Sequence, residues 1–272
     1  MWRKYRIYYR GNCTAGQAVS SRESRDNSMV KNSFKRSIAL TMFALFVCAG
    51  TLFAADEVDL QAGATLWKFC AFCHNADGLG QQRSDAPKVA GDPAWYTERT
   101  LTKFRTRVRG SHPEDLPGMQ MVVYAYPLID EAAIRNMAAY IESMPVTPEN
   151  AAPDRMANRP RNRPYEWDSK LAILDTGQEP DAKKGADLYA ASCTQCHGAE
   201  GEGIEALGGP RLDNKQDWYL IRQLRYFKYG ARGTHDDDIY GRLMAELGTP
   251  KTDQDIVDVV AYIKTLSKGP LY

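Results

Sequence analysis

The sequence predicts an all-α protein made of two tandem domains joined by a proline-rich linker. Three observations support this prediction. The chain matches itself at an offset of 123 residues, apolar residues recur at helical spacing within each repeat, and five prolines fall in the segment between the repeats. The sequence lacks a convincing alternating pattern of the kind that marks a β-strand.

The first segment, residues 1–54, is interpreted as a leader with a secretory signal peptide. A basic segment after Met29 precedes an apolar stretch at 38–53 and the small residues Ala54 and Ala55. This pattern is typical of a signal peptide and predicts export to the periplasm. The apolar stretch is shorter than the roughly 20 residues of a spanning helix. An uncleaved N-terminus that associates with the membrane is the alternative.

The charge of the chain is uneven. Residues 1–54 carry nine Lys and Arg against two Asp and Glu, whereas the remaining residues carry 26 against 32, a net charge of −6. A mildly acidic body without a basic patch argues against nucleic-acid binding and favours partners with basic docking surfaces.

The internal repeat is defined by landmarks that fall in register. The offset of 123 residues pairs Cys70-Ala-Phe-Cys73-His74 with Cys193-Thr-Gln-Cys196-His197, Pro87 with Pro210, Trp95-Tyr96 with Trp218-Tyr219, Arg109-Gly110 with Arg232-Gly233, His112 with His235, and Met121 with Met244. So many coincidences at one offset indicate duplication. We therefore predict one domain over 55–146 and a second over 181–272.

Residues 147–180 are predicted to be a linker. This segment contains five prolines and the basic run Arg159, Arg161 and Arg163, a composition that favours an extended, partly ordered chain over a third domain.

Three helices are predicted in each repeat. The first leads into the cysteines, the second is amphipathic, and the third follows a capping residue, Asp130 in the first repeat and the Thr252-x-x-Asp255 pattern in the second. The predicted segments begin at Gly63 and Gly185 for the first helix, and span Trp95–Val108 and Trp218–Tyr229 for the second and Glu131–Ser143 and Gln254–Ser267 for the third. The residues around Met121 and Met244 are expected to form loops.

The Cys-x-x-Cys-His motif indicates a covalently attached haem. Two cysteines at i and i+3 lie on the same face of a helix, where their thiols can add across the two vinyl groups of a haem, and the next residue, His, can bind the iron. Zinc and a dithiol redox site are the alternatives. Neither requires a His after both motifs and a Met at one fixed distance from each, so we predict two covalently bound haem c groups, held by Cys70, Cys73, Cys193 and Cys196.

The axial ligands of the iron are predicted from the register. His74 and His197 each precede a methionine, Met121 or Met244, by 47 residues. A thioether is a soft ligand that suits haem iron and raises its reduction potential. Met119 competes in the first repeat, but its counterpart is Arg242. His112 and His235 are a further alternative, which would lower the potential, and are otherwise loop or surface histidines.

Pro87 and Pro210 are predicted to orient these histidines. Each proline lies 13 residues after its histidine, where its backbone carbonyl can accept a hydrogen bond from imidazole Nδ1–H. A rigid turn is the simpler role, and the two roles are compatible.

With these residues in place, the sequence resembles the class I cytochromes c and, among them, the two-haem cytochrome c4 type. The residues that carry the resemblance are the two Cys-x-x-Cys-His motifs, Gly209-Pro210-Arg211-Leu212, Trp218-Tyr219-Leu220-Ile221-Arg222-Gln223-Leu224, Arg232-Gly233, Met244 and Ala261-Tyr262-Ile263. The resemblance implies His/Met-ligated haems in the periplasm. It also implies that Gly63 and Gly185 lie where the first and last helices cross, against Tyr140 and Tyr262. Asn75 departs from the pattern where the second repeat has Gly198, and so does the length of the linker.

The function implied by this resemblance is the transfer of single electrons. The expected partners are redox proteins, namely a quinol-oxidising or dehydrogenase complex as donor and a terminal oxidase or reductase as acceptor. With both axial positions of each iron filled by protein, we expect a carrier and not an enzyme. The alternatives are a catalytic dihaem oxidoreductase, of the thiosulfate dehydrogenase or peroxidase type, and an electron-transfer subunit of a membrane dehydrogenase complex.

Overall fold

The computed structural model describes residues 58–145 and 176–266. These residues belong to one compact unit, Asp56–Tyr272. The predicted signal peptide at 29–54 lies outside the described residues, as does the predicted linker up to residue 175. Within the described ranges, we find no helix long and apolar enough to cross a membrane.

The regular structure of the described residues is helical, with pairing between extended residues limited to two isolated bridges. The first repeat contains α1 (Leu60–His74), α2 (Ala94–Arg105), α3 (Leu116–Ala125) and α4 (Glu131–Ser143). The second contains α5 (Ala182–Ser192), α6 (Thr194–His197), α7 (Asp217–Lys228), α8 (Ile239–Leu247) and α9 (Asp253–Leu266). A short 3₁₀ turn precedes the second long helix of each repeat, at Gln82–Ser84 and Glu205–Leu207. The all-α prediction is confirmed.

The first and last helices of each repeat pack closely because a glycine lies at their crossing. A Cβ added at Gly63 in α1 would collide with the Asn136 carbonyl and Tyr140 Cβ in α4. One added at Gly185 in α5 would collide with the Asp258 carbonyl in α9. The expectation for this crossing is therefore confirmed. Each crossing supports a separate apolar core, around Trp67 and Met137 in the first repeat and around Tyr189 and Val259 in the second.

The predicted caps of the last helices are present. The Asp130 carboxylate accepts a hydrogen bond from Ala133 N at 2.7 Å, which fixes the start of α4. At the start of α9, Thr252 Oγ1 accepts from Asp255 N at 3.0 Å, and Thr252 N donates to the Asp255 carboxylate at 3.0 Å. This reciprocal pair satisfies two donors that the first turn of a helix leaves free.

The expectation of loops around the two methionines is wrong, because both methionines lie on helices. Met121 is in α3 and Met244 is in α8. Each helix is preceded by an N-cap aspartate whose carboxylate accepts a hydrogen bond from the backbone N–H three residues later. Asp115 accepts from Gly118 N at 2.9 Å, and Asp238 accepts from Gly241 N at 2.8 Å. The Asp-x-x-Gly caps were the available signal, although the glycine at the third position lowers helix propensity and hides the pattern.

The buried face of α7 differs from the apolar face that its periodicity predicts. Arg222, Gln223 and Arg225 are buried with exposed fractions of 8% or less. Of these, Arg222 faces the first repeat, where it donates to the carboxylate and carbonyl oxygens of Asp85, both at 2.9 Å. Contact between the repeats therefore buries side chains that the local pattern assigns to solvent.

The contact between the repeats follows an approximate two-fold relation. At the offset of 123, Arg99 is equivalent to Arg222, and Asp85 is equivalent to Gly208. Arg99 donates a hydrogen bond to the Gly208 carbonyl at 2.6 Å. In the same way, Arg222 donates to the Asp85 carbonyl.

Asp92 and Lys215 occupy equivalent positions in the two repeats, and they contact each other across the contact between the repeats. The Lys215 ammonium contacts the Asp92 carboxylate at 2.6 Å, and both side chains are buried. A third ion pair joins Lys103 in the first repeat to Asp238 in the second.

Candidate haem sites

Each repeat encloses a large cleft between its helices. In the first repeat the cleft measures about 1180 Å³, including the space at its mouth, and in the second about 1390 Å³. The first is lined by Cys70, Cys73, His74, Met121 and Arg109, and the second by their equivalents Cys193, Cys196, His197, Met244 and Arg232. The structure thus brings the predicted cysteine, histidine and methionine residues of each repeat to one cavity.

The two histidines are buried and held by the same backbone contact. His74 is the last residue of α1 and His197 the last of α6, and each is 7% exposed. The Nδ1 atom of His74 lies 2.8 Å from the Pro87 carbonyl oxygen, and that of His197 lies 2.7 Å from the Pro210 carbonyl oxygen. Each pair has the geometry of an Nδ1–H donor and a carbonyl acceptor, which leaves Nε2 with the free lone pair.

Burial keeps both imidazoles neutral. It lowers the pKa of His74, against the opposing effect of the hydrogen bond to Pro87, and it lowers the pKa of His197 in the same way. A neutral imidazole is the form that binds a metal.

The first cysteine of each pair lies deeper than the second. Burial, with a smaller contribution from the neighbouring cysteine, raises the pKa of both Cys70 and Cys193 to about 11. These thiols are therefore protonated at neutral pH. Among the described residues, no group of three or more His, Cys, Asp or Glu side chains is placed to hold a metal ion, whereas a structural zinc site has four ligands.

The methionines and the loop histidines are clearly separated by the fold. Met121 and Met244 line the cavities, whereas Met119 points outward and is 45% exposed. His112 and His235 lie outside both cavities, where each Nδ1 accepts a hydrogen bond from the backbone two residues later, at 3.1 Å. The methionines that match between the repeats, Met121 and Met244, are therefore the ones that face the cavities.

The comparison with known families gives the same result twice along the chain. The profile of the cytochrome c family matches residues 60–145 and 182–267, which together make up more than half of the chain. The chain belongs to the cytochrome c family.

Relatives of this cytochrome share its two-domain length. It is 27% identical over 219 residues to the thiosulfate dehydrogenase electron acceptor of Stutzerimonas stutzeri, with 79% of this chain and 88% of the relative covered. It is 25% identical over 213 residues to cytochrome c4 of Azotobacter vinelandii, with 76% of this chain and 89% of the relative covered.

A solved structure supports the fold. Reduced recombinant cytochrome c4 from Pseudomonas stutzeri aligns with a TM-score of 0.53 and 23% identity over 76% of this chain and 98% of that chain. Together, the two family matches and the cytochrome c4 relative make this chain a tandem, two-haem cytochrome of the cytochrome c4 type, in which each domain carries a covalently bound haem c.

The cavities of this cytochrome fit haem in shape and chemistry. Their surfaces are mostly apolar, as a porphyrin requires, and each is lined by one of a pair of equivalent arginines, Arg109 in the first and Arg232 in the second. Among the described residues, the Nε atoms of Arg109 and Arg232 are buried without a hydrogen-bond partner. A haem propionate is a carboxylate that could accept from these donors. Sequence reasoning placed both arginines in register but assigned them no role.

The two cavities share part of their walls. Tyr96, Thr100, Lys215, Tyr219 and Gln223 line both. Arg109 donates to Gln223 at 3.0 Å, and Arg232 donates to the same oxygen atom at 2.7 Å. Local sequence patterns could not identify this shared wall, because it forms only when the two repeats pack together.

Proposed function

We propose that this cytochrome is a periplasmic electron carrier that passes single electrons from a quinol-oxidising or dehydrogenase complex to a terminal oxidase or reductase. The proposal rests chiefly on one observation, that each cavity is lined by both a histidine and a methionine of its own repeat. With two protein ligands available, neither iron offers an open position to a substrate.

We assign the residues of each site as follows. Cys70 and Cys73 hold one haem and Cys193 and Cys196 the other, each through two thioether bonds. His74 with Met121, and His197 with Met244, are the axial ligands. Pro87 and Pro210 orient the histidines. When bound, each haem supplies a reversible one-electron couple between ferric and ferrous iron.

The protein contributes an environment that changes little when the electron arrives. The apolar cavity walls exclude water, and the buried histidines are fixed by their Nδ1 contacts, so little reorganisation is needed. The shared wall brings the two sites next to each other, which supports electron exchange within one chain.

The spectra of the purified holoprotein test this proposal directly. We expect two haems per chain by pyridine haemochrome, low-spin spectra in both oxidation states, and the near-infrared ferric band of Met–Fe ligation at the intensity of two haems. A high-spin component, or a band that accounts for one haem only, would contradict the carrier assignment and favour a catalytic site.

A thiosulfate-oxidising enzyme is a specific candidate for the donor. Besides the relative from Stutzerimonas stutzeri, the thiosulfate dehydrogenase electron acceptor of Thiomonas intermedia is 38% identical over 87 residues, with 32% of this chain and 37% of that relative covered. Rapid reduction of this cytochrome by a thiosulfate dehydrogenase, and no reduction by thiosulfate alone, is the expected result. Turnover with thiosulfate alone would instead identify this chain as the enzyme.

A subunit of a membrane complex is the second candidate. The FixP subunit of the cbb3-type cytochrome c oxidase of Azorhizobium caulinodans is 31% identical over 145 residues, with 53% of this chain and 39% of that relative covered. Fractionation of native cells distinguishes the two roles, because a free carrier is recovered with the periplasmic proteins and a subunit is recovered with the membrane.

A further inference from the structure

The peptide group between Pro87 and Lys88 is hydrogen-bonded on both sides, and its two partners belong to different repeats. Its carbonyl oxygen lies 2.8 Å from His74 Nδ1. Its N–H, on Lys88, donates to the side-chain oxygen of Gln216 at 2.9 Å. Gln216 immediately precedes α7 in the second repeat. A side chain of the second repeat is thus joined to His74 through one peptide.

Other contacts hold this peptide and Gln216 in place. The Gln216 side chain also donates to the Leu79 carbonyl at 3.0 Å, which fixes which amide atom faces Lys88. The adjacent Lys215 ammonium donates to the Lys88 carbonyl at 2.8 Å. Gly80 packs against the other side of the peptide, where a Cβ would collide with Pro87 C and Lys88 N.

No corresponding connection is found in the described part of the second repeat. Its equivalent peptide joins Pro210 to Arg211, and the Pro210 carbonyl contacts His197 in the same way. The position equivalent to Gln216 in the first repeat is Pro93, whose side chain carries no hydrogen-bond acceptor. The two histidines therefore make the same hydrogen bond to a proline carbonyl, but only the peptide bonded to His74 is in turn bonded to a glutamine of the other repeat.

We propose that Gln216 is a positioning residue that lowers the reduction potential of the first haem through the Pro87–Lys88 peptide. An acceptor on the N–H side polarises a peptide and strengthens its carbonyl as an acceptor, because hydrogen bonds in a chain reinforce one another. A stronger carbonyl acceptor draws the Nδ1 proton of His74 outward and makes the imidazole a better electron donor. A more basic ligand stabilises the ferric state. The inference rests on the proposed assignment of His74 as an axial ligand.

Gln216→Met tests the inference with little change in shape. Methionine has a similar length but no amide oxygen, and the Gln216 side chain makes no capping bond to α7. We expect the equilibrium constant for reduction of the first haem to rise roughly three- to tenfold, where tenfold equals about 59 mV for one electron. The second haem is expected to be unchanged. The two haems are distinguished by their ferric haem-methyl NMR resonances, assigned with a Met121→Ala reference.

Two further variants separate positioning from loosening of the contact. Gln216→Glu retains an acceptor for Lys88 N–H, so the first haem is expected at or below its wild-type potential. Asn214→Ala removes a neighbouring contact between the repeats, from Asn214 to Asp92 at 3.2 Å, without touching the peptide. We expect no change in either haem for this control.

Amide exchange gives a readout that does not involve the haem. Lys88 N–H is expected to exchange faster in Gln216→Met than in the wild type. The inference is overturned if Lys88 exchanges faster while the first haem keeps its potential, or if both haems shift equally. A wild-type spectrum without His/Met ligation would contradict the proposed function itself, whereas an intact spectrum with no shift in Gln216→Met would contradict this inference alone.

Discussion

Met121 and Met119 are two residues apart on α3, yet only Met121 reaches the cavity, while Met119 is 45% exposed. A helix turns by about 200° over two residues, so side chains two positions apart point in nearly opposite directions. This difference makes Met119 a matched control for the ligand.

Removing a methionine that we propose as an axial ligand should open one iron to an added ligand. We expect Met121→Ala and Met244→Ala each to bind about one CO per chain in the ferrous state, where the wild type binds none. The potential of the affected haem should fall by on the order of 0.1 V, within the range of about 0.8 V that axial ligands set. CO titration and redox potentiometry measure the two effects.

The control for this prediction is Met119→Ala, which should leave both CO binding and potential unchanged. CO binding to Met119→Ala, or none to either ligand variant, would show that the ligands are misassigned.

At the residue scale, the sequence alone was sufficient to identify the residues whose spacing haem attachment requires. The spacing of Cys70, Cys73 and His74 follows from the shape of the haem, so it is visible without a structure. Gln216 gave no such signal, because its side chain makes no capping bond to the helix that follows and its partner Lys88 is 128 residues away.

The helix crossings differ in one titratable group. In the second repeat the Asp258 carboxylate, 1% exposed, accepts hydrogen bonds from Asp181 N at 2.9 Å, Lys184 Nζ at 3.0 Å and Gln254 Nε2 at 2.7 Å. Burial alone would raise the pKa of Asp258, but these hydrogen bonds outweigh it and hold the pKa below its ordinary value. At this crossing the repeats match at an offset of 122, which also pairs Gly63 with Gly185, so the counterpart of Asp258 in the first repeat is Asn136. Asn136 accepts a hydrogen bond from Asp59 N at 2.9 Å and does not titrate.

This difference predicts the acid sensitivity of α5 and α9. Because the folded pKa of Asp258 is depressed, its contribution is present in full above about pH 5 and is lost as the pH falls through the folded pKa. Asp258→Asn should lower stability at pH 7 by about 1–2 kcal/mol and should flatten the loss of stability between about pH 5 and pH 3. Denaturant unfolding at a series of pH values measures both effects.

Asn136→Ala is the matched variant in the first repeat. It removes an uncharged acceptor, so its cost should be the same at both ends of this pH range. An equally steep acid dependence in Asp258→Asn and the wild type would show that another group is responsible.

At the element scale, prediction succeeded where a local signal marks the start of a helix and failed where glycine interrupts it. The caps at Asp130 and Thr252 were found from sequence and are present. The helices that follow the N-cap residues Asp115 and Asp238 were missed because Gly118 and Gly241, which the short caps require, also weaken the helical pattern. In each a Cβ would collide with the capping carboxylate.

At the scale of the whole molecule, stability depends on charges buried between the repeats. Lys215→Met would leave the Asp92 carboxylate buried without its cation, and removing one member of a buried pair costs about 3–5 kcal/mol. We expect this variant to unfold at a lower guanidinium concentration than the wild type, with a free energy of unfolding that is smaller by about 3–5 kcal/mol. In the double variant with Asp92→Leu, most of the loss should be recovered, because neither charge remains.

An exposed pair provides the comparison. Arg242 and Asp236 lie 3.7 Å apart with exposed fractions of 47% and 98%, and Arg242→Met should cost less than about 1 kcal/mol. Equal costs for Lys215→Met and Arg242→Met would show that the buried pair does not hold the repeats together.

The contact between the repeats could not be predicted from sequence. Lysine and arginine are exposed in most proteins, and nothing near Lys215 or Arg222 in the chain indicates that they face another domain. Their burial follows from docking of the repeats, which brings together residues more than 120 positions apart.

The pairing of Asp92 with Lys215 also makes the two halves of the duplication unequal. These are the same position of the repeat, and they face each other across an approximate two-fold relation. Two copies of the first repeat docked in this way would bring carboxylate against carboxylate, and two copies of the second would bring ammonium against ammonium. Only the unlike halves bring opposite charges together at this position, so the two halves are not interchangeable at this contact. Joining both halves in one gene ensures that each is always made with its complement.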